Sequence, residues 1–312
     1  MSAPSTQERE TYVGQGFSPA ERGRSPEGLP HVRNPEGLPH VRCGVVDIGS
    51  GTPLVLVPGI QGRWEGLRAT VDALSRRFRV LTFNLAGEAT SGQRFDATLG
   101  FDNFVVQLDR VLDEAKVSGA VVCGVSYGGL IALRYAALRP ERVRALALVS
   151  ALPPDYEPDG TTRRYLRSPR LMAPAFCVRA VSRVWPEVRT ALPTWRARAT
   201  FAARQLALVA RAPMTPTLMR DRVQMLHDVD FVDAARHCEA PAIVITGEPR
   251  LDRVVNVEST LRYRALLPDV RVERLERTGH LGLVLRPEDF AARIVRFLAE
   301  SEGERSARRR AV

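Results

Sequence analysis

A serine flanked by glycines is the first feature of this 312-residue sequence that could do chemistry. Residues 124–128 read GVSYG and fit the pattern G-x-S-x-G. A serine at a sharp strand-to-helix turn needs neighbours without side chains, because the backbone is strained there and the helix passes close to the strand. A β-branched run precedes the motif and an amphipathic stretch follows it. We therefore predict that Ser126 is a nucleophile and that Gly124 and Gly128 form the turn, rather than that Ser126 is a plain turn serine.

An activated serine needs a base, and a histidine suits this role near neutral pH. His280 lies in residues 277–282, RTGHLG, after a predicted strand and before the last predicted helix. This glycine-flanked loop at the edge of a sheet favours His280 as the base. The remaining histidines lack such a setting: His31, His40, His227 and His237.

The third group, an acid that orients the base, should follow the strand predicted at 241–247. The loop after this strand holds two acids, Glu248 and Asp252. We expect Asp252 to be the acid because it lies where the chain turns away from the strand tip, whereas Glu248 could hold the loop. Asp155, after the preceding strand, is a further alternative, since such acids are recognised by geometry rather than by position.

Acyl transfer also needs backbone N–H donors that stabilise an oxyanion. The turn itself supplies one, the amide of Tyr127. The second donor is expected from the loop after residues 53–59, at Ile60, which follows Pro58-Gly59. The alternative is that this loop is only a tight strand-to-helix turn.

Strands alternating with amphipathic stretches predict a mostly parallel sheet with helices on both faces. The strands are expected at 45–49, 53–59, 79–85, 119–126, 143–152, 241–247 and 270–275. Helices are expected at 64–74, after Asp102 as a capping residue, at 129–138 and from Pro287 to about Glu300.

The alternation divides the chain into a core, an insertion and two flanking segments. The core is predicted at 43–152 and 236–300, and a proline-punctuated, Arg-rich helical cap at 153–235. Residues 1–42 form a leader, and the tail 301–312 is expected to be disordered.

The leader lacks apolar periodicity and contains a tandem duplication, which predicts disorder. SPEGLPHVR at 25–33 is followed by NPEGLPHVR at 34–42. Two copies are too few and too polar to stack as a repeat architecture.

The net charge of +10 at pH 7 is concentrated in the cap: residues 155–222 carry 13 arginines and 5 acids. A basic surplus raises the possibility of nucleic-acid binding, but the sequence has no recognisable reading helix, aromatic platform or zinc motif. We therefore expect no nucleic-acid partner. Two hypotheses explain the charge: the cap attracts an anionic substrate, or its helices rest on an acidic surface.

The four cysteines are far apart and form no metal-binding spacing. They are expected to be buried free thiols in a reducing cytoplasm, with no metal site. The sequence has neither an apolar segment of a signal peptide nor the ~18 to 20 consecutive apolar residues that span a bilayer. These features predict a soluble, cytoplasmic protein.

From about Cys43 to Glu300 the sequence resembles the α/β-hydrolase superfamily, in which nucleophile, acid and base follow each other in the order Ser126, Asp252, His280. The resemblance implies an eight-stranded sheet and a helical cap after the sixth strand, and we expect no cofactor. It is nearest to the branch of esterases, enol-lactonases, carbon–carbon bond hydrolases and cofactor-free haloperoxidases. Ser126 argues against the dehalogenase and epoxide hydrolase branches, whose nucleophile is a carboxylate.

Two departures from the family pattern concern the site. The usual His-Gly of the oxyanion loop is Pro58-Gly59, which keeps the backbone donor but removes a supporting side chain. Asp252 lies two residues later than the family acid commonly does.

These residues predict a serine hydrolase that cleaves a small carboxylic ester, lactone or related acyl substrate. The alternatives are a hydrolase-fold ligand receptor with little catalysis, a carbon–carbon bond hydrolase and a cofactor-free haloperoxidase. The sequence does not predict the oligomeric state or the substrate. Five apolar residues of the cap could line an acyl-binding site or could instead pack between cap and core: Phe176, Trp185, Trp195, Phe201 and Met214.

Overall fold

The computed structural model describes residues 40–42, 44–211, 213 and 215–310. Its sheet has eight strands in the spatial order β1-β2-β4-β3-β5-β6-β7-β8. In chain order the strands are β1 (His40–Arg42), β2 (Val45–Ile48), β3 (Thr52–Val57), β4 (Phe78–Phe83), β5 (Ala120–Val125), β6 (Val143–Val149), β7 (Ala242–Thr246) and β8 (Val270–Arg274).

The strands β3 to β8 are mutually parallel, and β2 pairs antiparallel with β4. All seven strands expected from the sequence are present, and their ends shift by three residues at most. The parallel arrangement brings the carboxyl ends of β3, β5, β7 and β8 to one edge of the sheet. The loops that hold the predicted site residues all follow these ends.

The eighth strand, β1, consists of the last three residues of the duplicated leader unit. It pairs antiparallel with β2, with His40 opposite Asp47. The expectation that the leader lies outside the fold through residue 42 is wrong for these three residues. The first 39 residues of the leader lie outside the described residues.

Twelve α-helices accompany the sheet in the described part of the chain. They are α1 (Arg68–Leu74), α2 (Asn103–Glu114), α3 (Tyr127–Leu138), α4 (Gly160–Arg167), α5 (Pro169–Ala191), α6 (Trp195–Arg211), α7 (Pro216–Gln224), α8 (Phe231–Arg236), α9 (Val257–Thr260), α10 (Tyr263–Leu266), α11 (Gly282–Leu285) and α12 (Pro287–Arg310). Short 3₁₀ turns cover Glu65–Leu67, Gly100–Asp102, Pro140–Arg142 and Met225–Asp228.

The sheet separates two apolar cores because successive strand residues point to opposite faces. On β3, Val55 and Val57 join the core beneath α2, α3 and α8, whereas Leu54 and Leu56 join the core beneath α1 and α12. All four side chains are fully buried. Helices on both faces therefore cover the central strands, which explains their continuous apolar runs.

The segment between β6 and β7 contains helices α4 to α8. Helix α8 packs against α3 and buries Phe231 in the core. In contrast, α6 buries no side chain, and α5 buries only Glu187 and Val188. The segment predicted as a cap thus holds one helix that is part of the core.

Three local expectations differ from the structure. Asp102 makes no capping bond to α2, because its carboxylate instead accepts from the Arg134 guanidinium at 3.0 and 3.2 Å. Helix α12 continues to Arg310, so residues 301–310 are helical rather than disordered. Cys177 is exposed, while Cys123 and Cys238 are buried free thiols.

Candidate active site

Ser126 lies at the sharp turn between β5 and α3. Its backbone has φ 54° and ψ −118°, a region that non-glycine residues rarely adopt. A Cβ atom on Gly124 would lie 2.2 Å from the carbonyl oxygen of Gly128, and one on Gly128 would lie 2.4 Å from that of Pro58. The turn therefore accepts only glycine at both positions, as the sequence predicts.

The structure brings Asp252 and His280 together at the carboxyl edge of the sheet. The His280 Nδ1 atom is 3.4 Å from Asp252 Oδ2. The other Asp252 oxygen, Oδ1, accepts from the amides of Val254 at 3.0 Å and Val255 at 2.9 Å. Because the Asp252 side chain is almost fully buried and held by its own loop, its free oxygen is aimed at the imidazole.

The two alternative acids have other partners. Glu248 accepts from the Arg277 amide at 2.7 Å and from Arg250 Nε at 2.8 Å, which lowers the pKa of its carboxyl group. Asp155 pairs with Arg262. Neither carboxylate contacts His280 in the described residues, so geometry favours Asp252 as the acid.

Ser126 and His280 lie on loops of the same sheet edge, but in the described part of the chain no hydrogen bond joins them. In enzymes without substrate the bond between nucleophile and base is often long and tightens on binding. The assignment of Ser126 as nucleophile and His280 as base thus stays a prediction.

The loop after β3 lies directly against Ser126. A Cβ atom on Gly59 would be 3.5 Å from Ser126 Cβ. Within the described ranges, the amides of Ile60 and Tyr127 donate no hydrogen bond, and the turn bond of the Ile60 loop runs from Gly62 N to Gly59 O. Both amides are therefore free to act as the predicted oxyanion donors.

A buried ion pair supports this oxyanion loop, and sequence reasoning missed it. Arg222 of α7 donates from Nη2 to Glu88 Oε1 at 2.8 Å and from Nη1 to the Ile60 carbonyl at 2.9 Å. Its own carbonyl accepts from the Tyr127 hydroxyl at 2.9 Å. Arg222 thus contacts both residues that carry the predicted donors, although nothing in the sequence distinguishes it from neighbouring arginines.

A second carboxylate, Glu187 of α5, holds the His280 loop and was also missed. Both of its oxygens accept from the Leu281 amide, at 2.9 and 3.0 Å. Glu187 has no exposed surface. Burial raises the pKa of Glu187 to about 7. Hydrogen bonds from the amides of Leu281 and Gly279 and the nearby His280 lower this pKa, but their effect is smaller than that of burial.

The raised pKa of Glu187 predicts a measurable pH dependence of stability. Between its ordinary pKa of 4.5 and about 7, the folded state binds more protons at Glu187 than the unfolded chain does. The contribution of Glu187 to the free energy of unfolding is therefore largest below pH 4.5 and falls by about 3 kcal/mol as pH rises to 7. Urea denaturation should show the wild type losing stability relative to Glu187→Gln over this interval.

The matched control is Glu276→Gln, the same change at an exposed site four residues before His280. Its stability relative to the wild type should stay nearly constant over the same pH interval. If the wild type instead gained stability over Glu187→Gln with rising pH, Glu187 would be ionised in the folded state.

Other expected features of the site are located as follows. Trp185 and Trp195 are exposed, Phe176 packs edge-on against Tyr165, Phe201 is half-buried, and Met214 lies outside the described residues. Among the residues that the structure describes, no group of three or more His, Cys, Asp or Glu side chains could hold a metal ion. None of the described helices combines the length and the apolar composition that a membrane span requires.

Comparisons with known proteins agree with this architecture. Residues 52–176 match the family model described as the alpha/beta hydrolase fold. The chain is 26% identical to the 2-hydroxy-6-oxo-2,4-heptadienoate hydrolase of Pseudomonas putida, over 82% of this chain and 92% of that protein. It is 25% identical to a pimeloyl-(acyl-carrier protein) methyl ester esterase of Aliivibrio salmonicida, over 80% and 93%.

Solved structures give the same result for the fold. The esterase RhEst1 from Rhodococcus sp. ECU1013 superposes with a TM-score of 0.66 at 22% identity, covering 82% of this chain and 94% of that one. Together with the parallel sheet and the sharp serine turn, these matches show that the chain has the α/β-hydrolase fold.

Proposed function

We propose that this protein is a serine hydrolase that cleaves a small carboxylic ester, lactone or related acyl substrate. The observation that carries the proposal is the strained Ser126 turn, which lies against a loop with a free amide at the sheet edge that also holds the His280–Asp252 pair. The full-length relatives named above are hydrolases, which supports the same class of activity.

In the proposed reaction the Ser126 oxygen attacks the substrate carbonyl while His280 accepts the serine proton through Nε2. Asp252 holds Nδ1 and stabilises the imidazolium that forms. The amides of Tyr127 and Ile60 stabilise the oxyanion. The imidazolium then protonates the leaving alcohol, and a water molecule activated by His280 releases the acid from the acyl-enzyme.

The proposal is tested with a fluorophosphonate probe and with short p-nitrophenyl esters. We expect one equivalent of probe on Ser126, identified by peptide mass spectrometry, and steady release of nitrophenol. Ser126→Ala should take up no probe and release nitrophenol only at the enzyme-free rate. A folded wild-type protein that reacts with neither compound, or full activity in Ser126→Ala, would overturn the proposal.

Carbon–carbon bond cleavage is a second candidate, favoured by the similarity to the heptadienoate hydrolase. Comparing kcat/KM for simple esters with kcat/KM for a vinylogous 1,5-diketone acid separates the two activities. A ligand receptor that reuses the pocket is distinguished in the same assay, because it would release a bound ester unchanged.

A further inference from the structure

The outer faces of α5 and α6 carry apolar side chains that nothing in the described structure covers. Their large exposed members are Leu171, Val178, Val181, Trp185, Trp195, Leu206 and Val209, with exposed fractions of 44–80%. No large apolar side chain elsewhere in the described residues exceeds 42%. Within the described part of the chain, exposure of this size therefore occurs only on these two helices.

The exposed side chains of α5 lie on one face of the helix. Leu171, Val178, Val181 and Trp185 are separated by 7, 3 and 4 residues, which places them within one stripe of an α-helix. Glu187, which is buried against the His280 loop, lies on the opposite face. The apolar stripe therefore points away from the body of the protein.

Helix α6 repeats this pattern. Trp195, Leu206 and Val209 are separated by 11 and 3 residues, again one face, and the exposed alanines Ala199 and Ala202 continue the same stripe. Such a stripe is ordinarily packed against a partner, because exposing it to water is unfavourable.

The charge around these stripes identifies the chemistry of the partner. Residues 160–211 contain eleven arginines, nine of them exposed, and a single acid, the buried Glu187. None of the eleven forms a close ion pair with a described residue, although Arg179 and Arg183 are near enough to Asp159 to attract its carboxylate. A second copy of the same surface would place arginine against arginine, so the partner must be anionic.

We propose that the outer face of α5 and α6 binds the surface of an anionic lipid bilayer. Helices that lie in a membrane interface combine apolar residues and tryptophan on one side with arginine or lysine around it, as α5 and α6 do. The guanidinium groups attract anionic headgroups, and the leucine, valine and tryptophan side chains enter the acyl boundary. Attraction of an anionic substrate would account for the arginines but not for the apolar stripes.

The test is co-sedimentation of the full chain with vesicles of phosphatidylcholine alone and of phosphatidylcholine mixed with phosphatidylglycerol. We expect binding to the mixed vesicles only, weakened by salt, with a blue shift of tryptophan emission. Each Leu171→Gln or Leu206→Gln change should lower the partition coefficient by about tenfold. Arg170→Gln and Arg196→Gln should each lower it by about fivefold.

The matched controls are Val295→Gln on α12 and Arg76→Gln beside α1, which should bind mixed vesicles as the wild type does. All variants change exposed residues outside the candidate active site, and circular dichroism reports whether each is folded. Three outcomes would overturn the proposal: no binding to mixed vesicles at low salt, equal losses in the control variants, or a dimer that Leu171→Gln and Leu206→Gln dissociate. Binding that responds to the arginine changes alone would also overturn it, because any polyanion would then suffice.

Discussion

Replacing Asp252 with asparagine is expected to lower kcat for ester hydrolysis by about ten-thousand-fold. The asparagine oxygen can still accept from the amides of Val254 and Val255, so the loop should keep its shape. Its NH₂ group would then face His280 Nδ1 in place of the carboxylate oxygen that lies 3.4 Å away. The imidazole would be held in the wrong tautomer and could no longer accept the Ser126 proton. Steady-state kinetics on a p-nitrophenyl ester measures the loss.

The control for this prediction is Glu248→Gln, the same chemical change in the other acid of the loop. Glu248 bonds the Arg277 amide and Arg250, so its loss should affect the stability of the loop more than kcat. A larger drop in kcat for Glu248→Gln than for Asp252→Asn would mean that Glu248 is the acid. Circular dichroism of both variants shows whether either drop reflects unfolding.

Replacing Arg222 with methionine is expected to lower the free energy of unfolding by about 3 to 5 kcal/mol. The Arg222 and Glu88 side chains are 2% and 4% exposed, so removal of the guanidinium leaves a carboxylate buried without its partner. The Ile60 carbonyl also loses its donor, at 2.9 Å. Urea denaturation at neutral pH measures the change.

Two further variants separate charge burial from loss of packing. Arg222→Met combined with Glu88→Gln should regain most of the stability, because no buried charge remains. Arg76→Met removes an ion pair with Glu288 whose side chains are 63% and 62% exposed, and should cost at most about 1 kcal/mol. If Arg222→Met were no more costly than Arg76→Met, the ion pair would not stabilise the junction of α7 with the oxyanion loop.

Two charged residues on the buried sides of the inserted helices hold loops of the candidate site. Glu187 of α5 holds the loop of His280, and Arg222 of α7 holds the loop of Ile60. The inserted helices thus hold in place the loops that carry the proposed base and one of the proposed oxyanion donors. In contrast, the outer faces of α5 and α6 make no such contacts with any residue that the structure describes.

The sequence alone determined the features that depend on short stretches of chain. The seven strands are readable because each is a short apolar run bounded by turn residues. The Ser126 turn can be predicted because it requires glycine at position 124, where a Cβ atom would lie 2.2 Å from the carbonyl oxygen of Gly128. His280 can be predicted in the same way, because the glycines beside it lie in the same short loop.

Only the tertiary structure decided which groups meet across the chain. Asp252 faces His280 and Glu248 does not, because backbone amides within its own loop aim the Asp252 carboxylate, and this aim has no sequence signal. The contacts of Glu187 with Leu281 and of Arg222 with Glu88 join residues 94 and 134 positions apart. Burial of a charge depends on such distant contacts, whereas the periodicity of a sequence reflects only neighbouring residues. The number of arginines in the inserted helices can therefore be read from the sequence. Which of these charges are buried was decided only by the tertiary structure.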